Sequence, residues 1–341
     1  MSTLTTSRTA GTGRETDVET DILIVGAGPA GLYGAYYAGF RGMRTAVMDI
    51  LPEPGGQIMA MYPEKKILDI AGFPSVRGRH LISNLVEQTA PYEPRYLLGH
   101  QASRLGYDSD GTPVVTSHRG ATVRAKAVVI TGGIGTFTPR RLAAADDYEG
   151  RGLAYFVTSP AEHADRDVVI VGGGDSAFDW AATLEPLARS VTLVHRRDSF
   201  RAHAATVDQV RASSVQIVVN ADVTAVHGTK AITAVEVTDR RDGSTRTLAA
   251  QSVIAALGFV ANPGPLLEWG LDMATRHVQV DTRMATNLPR VFAAGDIADY
   301  PGKVRLIAVG FGEVATAVNN AAALIDPRLG LFPGHSTEKE S

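Results

Sequence analysis

The chain has 341 residues, a formal net charge of −3 and a hydrophobic content of 44%. This length predicts two domains that each bury a core, and the near-neutral charge excludes a global attraction for nucleic acid. The chain has no cysteine, which excludes disulfides, thiolate metal ligands and every dithiol redox mechanism.

The N-terminal residues 1–20 are rich in Ser, Thr, Gly and charge, and they have no periodic apolar face. This composition predicts a disordered leader. No run of 18 apolar residues and no apolar core of a secretory signal is present, so we expect a cytoplasmic protein.

The first motif begins with a buried strand, Ile22–Val25, that leads into a glycine turn and a helix. Gly26, Gly28 and Gly31 have the spacing that brings a backbone against a pyrophosphate. The N-terminus of the following helix then offers free N–H groups to the phosphates. Alone this motif is weak, because glycine-rich turns without a ligand are common.

The next predicted strand ends at Asp49. A carboxylate there accepts hydrogen bonds from ribose hydroxyls and repels a 2′-phosphate, which predicts FAD or NAD at this site. The following Gly55-Gly56-Gln57 segment is expected to wrap the cofactor, because glycine allows close backbone approach.

The strand–turn–helix pattern recurs from Val168, with Gly172, Gly174 and Ala177 in the motif positions. Two copies in the same context favour nucleotide binding over unliganded turns. In this copy the acid at the end of the second strand is replaced by donors, which are His195, Arg196, Arg197 and Arg201. These donors predict an NADP site; the alternative is a solvated basic loop.

Near the C-terminal end, a buried strand leads to Gly295-Asp296, followed by a helix of small residues over 311–325. An Asp at this strand end is expected to bind the ribityl hydroxyls of FAD at the first site, although it could also be a cap. Strands ending at Gly132-Gly133 and at Gly258 predict the two crossings between domains. We therefore predict an α/β fold with two Rossmann-like dinucleotide-binding domains: an FAD domain over 21–138 and 258–341, and an inserted NADPH domain over 139–257.

Several motifs together resemble the ferredoxin–NADP reductases of the thioredoxin-reductase-like type, from about Asp21 to Thr337. The motifs are Gly26-Ala-Gly-Pro-Ala-Gly31, Gly55-Gly-Gln57, Tyr62-Pro-Glu-Lys65, Ala71-Gly-Phe-Pro74, Gly172-Gly-Gly-Asp-Ser-Ala177, His195-Arg-Arg-Asp-Ser-Phe-Arg201, Gly295-Asp296 and Gly310-Phe-Gly-Glu313. The first glycine turn and Gly295-Asp296 occur in many flavoenzymes. The Tyr-Pro-Glu-Lys motif and the second glycine turn with His-Arg-Arg occur in a much narrower range of proteins.

The resemblance implies a set of cofactor contacts. For FAD they are Gly26, Gly28, Pro29, Ala30, Gly31, Asp49, Gln57, Tyr62, Ala102, Phe137, Asp296 and Thr337; for NADP they are Gly172, Gly174, Asp175, Ser176, Ala177, His195, Arg196, Arg197 and Arg201. It also implies that Tyr62 stacks on one flavin face and that His335 covers the other from the partner subunit of a homodimer.

The resemblance implies hydride transfer between NADPH and FAD and single-electron transfer to a ferredoxin or flavodoxin, with no catalytic side chain beyond the cofactors and no metal. Thioredoxin reductase is excluded, because the stretch Tyr155–Pro160 where its dithiol would lie has no cysteine. An NADPH diaphorase or quinone reductase, and a low-turnover flavin sensor, remain open. A basic cluster of Lys65, Lys66, Arg77 and Arg79 could dock an acidic ferredoxin or be a solvated surface run.

Overall fold

The computed structural model describes residues 17–133 and 135–334, which form two compact units. The first unit consists of the described parts of Met1–Gly56, Asn84–Ile134 and Pro263–Ser341, and the second unit consists of Gln57–Ser83 and Gly135–Asn262. Both units contain a Rossmann-like sheet with parallel strands at its centre. The predicted α/β fold, with one dinucleotide-binding domain inserted into the other, is confirmed.

Helices and strands are numbered in chain order. The helices are α1 (Pro29–Phe40), α2 (Gly56–Met61), α3 (Gly78–Thr89), α4 (Asp175–Leu184), α5 (Ala204–Arg211) and α6 (Ile307–Ile325). The strands are β1 (Asp17–Val25), β2 (Thr45–Asp49), β3 (Lys66–Ile67), β4 (Val76–Arg77), β5 (Arg95–Leu98), β6 (Ala102–Tyr107), β7 (Pro113–Ser117), β8 (Thr122–Ile130), β9 (Thr136–Pro139), β10 (Leu153–Ala154), β11 (Asp167–Val171), β12 (Ser190–Val194), β13 (Gln216–Val218), β14 (Ala221–His227), β15 (Ala234–Asp239), β16 (Thr245–Ala249), β17 (Ser252–Ala255), β18 (Phe259–Asn262), β19 (Met273–Ala274), β20 (His277–Gln279), β21 (Val291–Ala293) and β22 (Ala298–Asp299).

The main sheet of the first unit has the order β5-β2-β1-β8-β7-β6, and β21 also pairs with β8. β1, β2, β5, β8 and β21 are joined in parallel, whereas β6 and β7 are antiparallel. Residues 22–25 of the central strand β1 are apolar on both faces, as expected for a strand covered on both sides. Ile22 and Ile24 pack with α1 and α6, and Leu23 and Val25 pack in a separate cluster that includes Trp269.

Helix α6 packs closely on α1, because Gly34 lets the two backbones approach. A Cβ atom on Gly34 would lie 2.7 Å from Cγ2 of Val314. By length and composition, α6 is the one helix among residues 17–133 and 135–334 that could cross a membrane. Val314, Ala317 and Val318 are nevertheless fully buried in the core of the first unit, which is how a core helix packs.

The second unit has a fully parallel sheet with the order β10-β17-β11-β12-β13 and an antiparallel meander, β14-β15-β16. One face of the parallel sheet packs on α4 and α5 through residues such as Phe178 and Val207. The other face contributes Val169 and Val171 to a cluster with Val235 and Val237 of the meander. The sheet therefore presents the carboxyl ends of β11 and β12 at one edge, where the second glycine turn begins.

The prediction of a disordered leader is wrong for residues 17–20, which form the first part of β1. This segment pairs in parallel with β8, with Asp17 opposite Thr122 and Thr20 opposite Ala125. The Thr20 hydroxyl also donates to the carbonyl of Arg44 at 2.7 Å. Pairing with a distant strand overrides the polar local composition of this segment. Residues 1–16 lie outside the described residues.

The division between the units differs from the predicted boundaries. We placed the crossings after residues 138 and 257, whereas the contacts divide the chain after residues 134 and 262. The reason is that β9 and β18 pair with each other, with Pro139 opposite Phe259, so both belong to the second unit. The segment Gln57–Ser83, which we assigned to the FAD domain, also groups with the second unit.

A buried carboxylate in the first unit gives a pH-dependent prediction. Burial alone would raise the pKa of Asp21, but ion pairs with Arg44 at 3.3 Å and Lys126 at 2.9 Å lower it to about 2. A lowered pKa stabilises the fold at pH values above the usual 3.8, and this stability is lost as the pH falls through 2. We expect Asp21→Asn to reduce the free energy of unfolding at neutral pH by about 1 kcal/mol or less. Thermal unfolding should show that this deficit shrinks below about pH 4; a deficit that stays constant down to pH 2 would contradict the assignment.

Candidate functional site

The first glycine turn connects β1 to α1 and has room for a ligand next to Gly28. Gly26 has a positive φ of 115°, and a Cβ atom on Gly31 would collide with the carbonyl oxygen of Gly26. A Cβ atom on Gly28 would meet no described atom within 4 Å. Gly28 is the N-cap of α1 and, as a glycine, makes no side-chain capping hydrogen bond to the first turn of this helix. This turn therefore leaves open backbone where a pyrophosphate would bind.

Asp49 at the end of β2 is joined to this turn. Its carboxylate accepts from the backbone N–H of Ala27 at 2.5 Å and from that of Leu51 at 2.8 Å. Burial raises the pKa of Asp49, and the two backbone hydrogen bonds oppose this rise. Each carboxylate oxygen keeps a lone pair, so Asp49 can still accept from ribose hydroxyls.

The Gly295-Asp296 turn lies next to the first glycine turn. A Cβ atom on Gly295 would lie 3.3 Å from Cβ of Ala30. Burial raises the pKa of Asp296, and the positive charges of Lys303 and Arg305 oppose this rise. The Asp296 carboxylate has no hydrogen-bond partner among residues 17–133 and 135–334. A half-buried acceptor without a partner fits the hydroxyls of a ribityl chain.

These features of the first unit fit FAD. The open backbone at Gly28 and the first turn of α1, which includes Pro29, Ala30 and Gly31, suit a pyrophosphate. The carboxylates of Asp49 and Asp296 lie at strand ends beside this turn and suit the hydroxyls of the cofactor. Among the other predicted FAD contacts, Ala102 is buried at the start of β6 in the same unit.

Three residues that we predicted to contact FAD belong to the second unit. Gln57 lies in α2, Tyr62 follows α2, and Phe137 lies in β9. Tyr62 packs against the cluster that contains Phe178 of α4. The neighbouring Lys65 forms an ion pair of 2.5 Å with Asp179 of α4, which also ties this segment to the second unit. His335 and Thr337 lie outside the described residues.

The second glycine turn connects β11 to α4. Gly174 is the N-cap of α4 and, as a glycine, makes no side-chain capping hydrogen bond; a Cβ atom on Gly174 would meet no described atom within 4 Å. This first turn contains Asp175, Ser176 and Ala177. Asp175 accepts from the backbone N–H of His203 at 2.9 Å, so its carboxylate holds the loop that follows β12.

His195 covers this turn. A Cβ atom on Gly173 would collide with the His195 ring, and Nε2 of this ring lies 3.2 Å from the carbonyl oxygen of Ser199. Burial lowers the pKa of His195, assisted by the positive charges of Arg196 and Arg197. At neutral pH the ring is therefore uncharged and serves as a hydrogen-bonding group.

The three predicted NADP arginines are exposed. None of Arg196, Arg197 and Arg201 forms an ion pair with a carboxylate in the part of the chain that the structure describes. In contrast, Arg240 and Arg241 of the same unit each pair with an aspartate. The backbone N–H of Arg201 donates to the Gly173 carbonyl at 2.8 Å, which holds the arginine loop on the glycine turn. The loop thus offers several guanidinium donors without carboxylate partners among the described residues, next to the second glycine turn, an arrangement that fits a 2′-phosphate.

The predicted basic cluster is partly neutralised. Lys65 pairs with Asp179, and both Arg77 and Arg79 pair with Glu64. Within residues 17–133 and 135–334, only Lys66 of the four has no carboxylate partner. Because Arg77 and Arg79 share one glutamate, two carboxylates offset only half of the four positive charges in this cluster. No group of His, Asp and Glu in the same ranges could hold a metal ion.

Sequence reasoning missed the contacts that support Gly295. Lys303 and Glu313 form a buried ion pair that hydrogen-bonds to both backbone polar groups of Gly295. The sequence carried a signal, because Glu313 is the one charged residue in a helix made mostly of small apolar residues. That signal alone does not show which residues the acid contacts.

Comparisons with known proteins agree with this arrangement. Residues 20–321 match the model of the pyridine nucleotide-disulphide oxidoreductase family. The chain is 63% identical over 320 residues to the ferredoxin–NADP reductase of Salinispora arenicola, covering 94% of this chain and 99% of that protein. It is 56% identical over 323 residues to the ferredoxin–NADP reductase of Saccharopolyspora erythraea, covering 94% and 97%.

Among solved structures, the thioredoxin reductase of T. acidophilum matches with a TM-score of 0.77 and 26% sequence identity, covering 92% of this chain and 99% of that one. This likeness supports the order of elements described above, and the relatives support the resemblance drawn from the motifs. The chain belongs to the pyridine nucleotide-disulphide oxidoreductase family, among proteins of the ferredoxin–NADP reductase type, and binds FAD and NADP(H).

Proposed function

We propose that this enzyme transfers hydride between NADPH and FAD and exchanges single electrons between FAD and a ferredoxin. The observation that carries the proposal is the contrast between the two strand ends. Asp49 ends β2 beside the first glycine turn, whereas three arginines without carboxylate partners among the described residues follow β12 beside the second. The names of the relatives supply the acceptor class.

The residues of the first unit hold the flavin in this proposal. The first turn of α1, with Gly28 at its N-cap, binds the pyrophosphate, and Asp49 accepts from the ribose hydroxyls. Asp296 accepts from the ribityl chain. FAD itself supplies the redox chemistry, because it accepts a hydride and releases electrons one at a time.

The residues of the second unit bind NADPH in this proposal. The first turn of α4, from Asp175 to Ala177, receives the pyrophosphate. Arg196, Arg197 and Arg201 bind the 2′-phosphate. The uncharged His195 ring lies over the glycine turn, held there because its Nε2–H donates to the Ser199 carbonyl. No side-chain acid or base is needed, because hydride transfer takes place between the two cofactors.

The absence of cysteine and the names of the relatives together indicate the electron acceptor. A chain without cysteine has no dithiol to receive electrons from the flavin. Electrons therefore leave from the flavin directly, and a one-electron carrier such as ferredoxin fits the names of proteins that are 63% and 56% identical.

We further propose that the enzyme is a cytoplasmic homodimer. Tyr62 stacks on one flavin face, and His335 reaches the other face from the partner subunit, with Thr337 close to the cofactor. The family resemblance supports these roles. Tyr62 groups with the second unit, and His335 and Thr337 lie outside the described residues.

The acceptor is tested by measuring NADPH-driven reduction of cytochrome c with and without ferredoxin. We expect reduction to be slow with cytochrome c alone and to rise saturably with ferredoxin concentration. A rate that is independent of ferredoxin but rapid with a small quinone would support a quinone reductase instead. If neither acceptor turns over, although NADPH bleaches the flavin, the protein is a redox sensor.

A further inference from the structure

The first unit contains a buried ion pair that the proposed electron transfer does not use. Lys303 lies between β22 and α6, and Glu313 lies in α6. Their side chains are 2% and 5% exposed, and Nζ of Lys303 lies 2.5 Å and 2.6 Å from the two carboxylate oxygens of Glu313. Both charges are thus removed from water.

This pair binds both backbone polar groups of Gly295. Glu313 Oε2 accepts from the Gly295 N–H at 2.8 Å, and Lys303 Nζ donates to the Gly295 carbonyl at 3.0 Å. The Tyr300 hydroxyl also donates to Glu313 Oε1 at 2.7 Å, and this hydrogen bond raises the pKa of Tyr300 to about 12. With one hydrogen bond to the Gly295 carbonyl and two to the carboxylate oxygens of Glu313, Lys303 uses all three of its N–H donors.

The contacts act on a residue with a constrained backbone. Gly295 has a positive φ of 78°, and it directly precedes Asp296. A residue whose N–H and C=O are both bound by buried side chains cannot change φ or ψ without breaking those bonds. The direction in which the chain presents Asp296 is consequently set by Lys303 and Glu313.

Stability alone gives no reason for a buried ion pair at this place. Replacing such a pair with apolar residues of similar size is often neutral or stabilising, and the other buried residues of α6 are Gly, Val and Ala. A requirement for one defined conformation is a better reason, because charged groups fix the geometry of their partners.

We propose that Lys303 and Glu313 are positioning residues for FAD, which clamp Gly295 so that Asp296 meets the ribityl hydroxyls. The proposal rests on the assignment of Asp296 to the flavin made under Proposed function. Lys303 and Glu313 do not touch the flavin in this account and act through Gly295.

The test measures FAD affinity and fold stability separately in the full-length chain. Lys303→Met, Glu313→Leu and the double variant are compared with Arg328→Gln, which breaks an exposed ion pair with Asp326 in the same unit. Release of FAD on serial dilution, followed by the fluorescence of free flavin, gives the dissociation constant. Thermal unfolding at saturating FAD and without FAD gives the stability.

We expect each single variant to weaken FAD binding by at least about tenfold, which corresponds to about 1.4 kcal/mol. Each also lowers the melting temperature without FAD, because one charge stays buried without its partner. The double variant should regain much of this stability but none of the FAD affinity, since Gly295 remains unclamped. Arg328→Gln should change neither quantity.

Two further results decide against parts of the account. If FAD affinity returns together with stability in the double variant, Lys303 and Glu313 have only a structural role, and the proposal is overturned. The Asp296→Ala variant tests the underlying assignment: unchanged FAD affinity there removes the role of Asp296 itself.

Combining Asp296→Ala with the double variant should cause no further loss of FAD affinity, because the clamp acts through Asp296. If a single variant does not fold, the double variant, which leaves no unpaired charge, still gives the affinity measurement.

Discussion

A chain with Arg196→Ala and Arg197→Ala should lose its preference for NADPH over NADH. Each charge-assisted hydrogen bond contributes about 1.5–3 kcal/mol, so we expect the KM for NADPH to rise by at least about a hundredfold. The KM for NADH should change little, because NADH carries no 2′-phosphate. The fold should be retained, since neither arginine has a carboxylate partner in the part of the chain that the structure describes. Steady-state kinetics with ferricyanide as the acceptor measure both constants without a ferredoxin step.

The matched control is Arg241→Ala with Arg246→Ala, which removes the same formal charge from exposed positions of the meander in the same unit. This control should leave both constants nearly unchanged, because the effect we predict is a local contact and not a general field. If the double variant at Arg196 and Arg197 raises the KM for NADH and NADPH equally, the arginines do not bind the 2′-phosphate.

A second large effect is expected for Gly28→Ala, which should fold normally and lose FAD. A Cβ atom at this position meets no described atom within 4 Å, and φ is −71°, so the protein itself accommodates alanine. The added methyl group would lie where the backbone approaches the pyrophosphate. Overpacking of this kind costs about 1–3 kcal/mol, and we expect FAD affinity to fall by about 10- to 100-fold. Flavin content after purification and the melting temperature without FAD give the two readouts.

Gly174→Ala is the matched variant at the other site. The same reasoning predicts that it keeps its flavin and loses affinity for NADPH. Gly31→Ala gives the contrast, because its Cβ atom would collide with the Gly26 carbonyl and so lower stability together with flavin content. Normal FAD binding by Gly28→Ala would show that the pyrophosphate does not lie against this turn.

The local parts of the fold could be predicted from the sequence. The two strand–turn–helix units at Gly26 and Gly172 follow from glycine spacing and apolar runs, because both signals act within a few residues. The contrast between Asp49 and the arginines after β12 is also local, since these residues follow directly from the second strand of each unit. Chain order alone was enough to show that one domain interrupts the other.

The missed parts depend on partners that are distant in sequence. Residues 17–20 extend β1 because β8 pairs with them, although their composition favours disorder. The segment after Gln57 groups with the second unit, where Lys65 pairs with Asp179. The role of Glu313 depends on Lys303 and Gly295, which approach it only in the folded protein. In each case tertiary contacts decide the outcome, and no local pattern encodes them.

The central claim is that electrons pass from NADPH through the flavin alone to ferredoxin. An anaerobic titration of the FAD-loaded protein with NADPH, followed by addition of oxidised ferredoxin, tests it most directly. We predict that one equivalent of NADPH bleaches each flavin, that no further equivalent is taken up, and that ferredoxin restores the flavin absorbance while becoming reduced. A flavin that NADPH leaves oxidised, or a reduced flavin that ferredoxin does not reoxidise, would contradict the account.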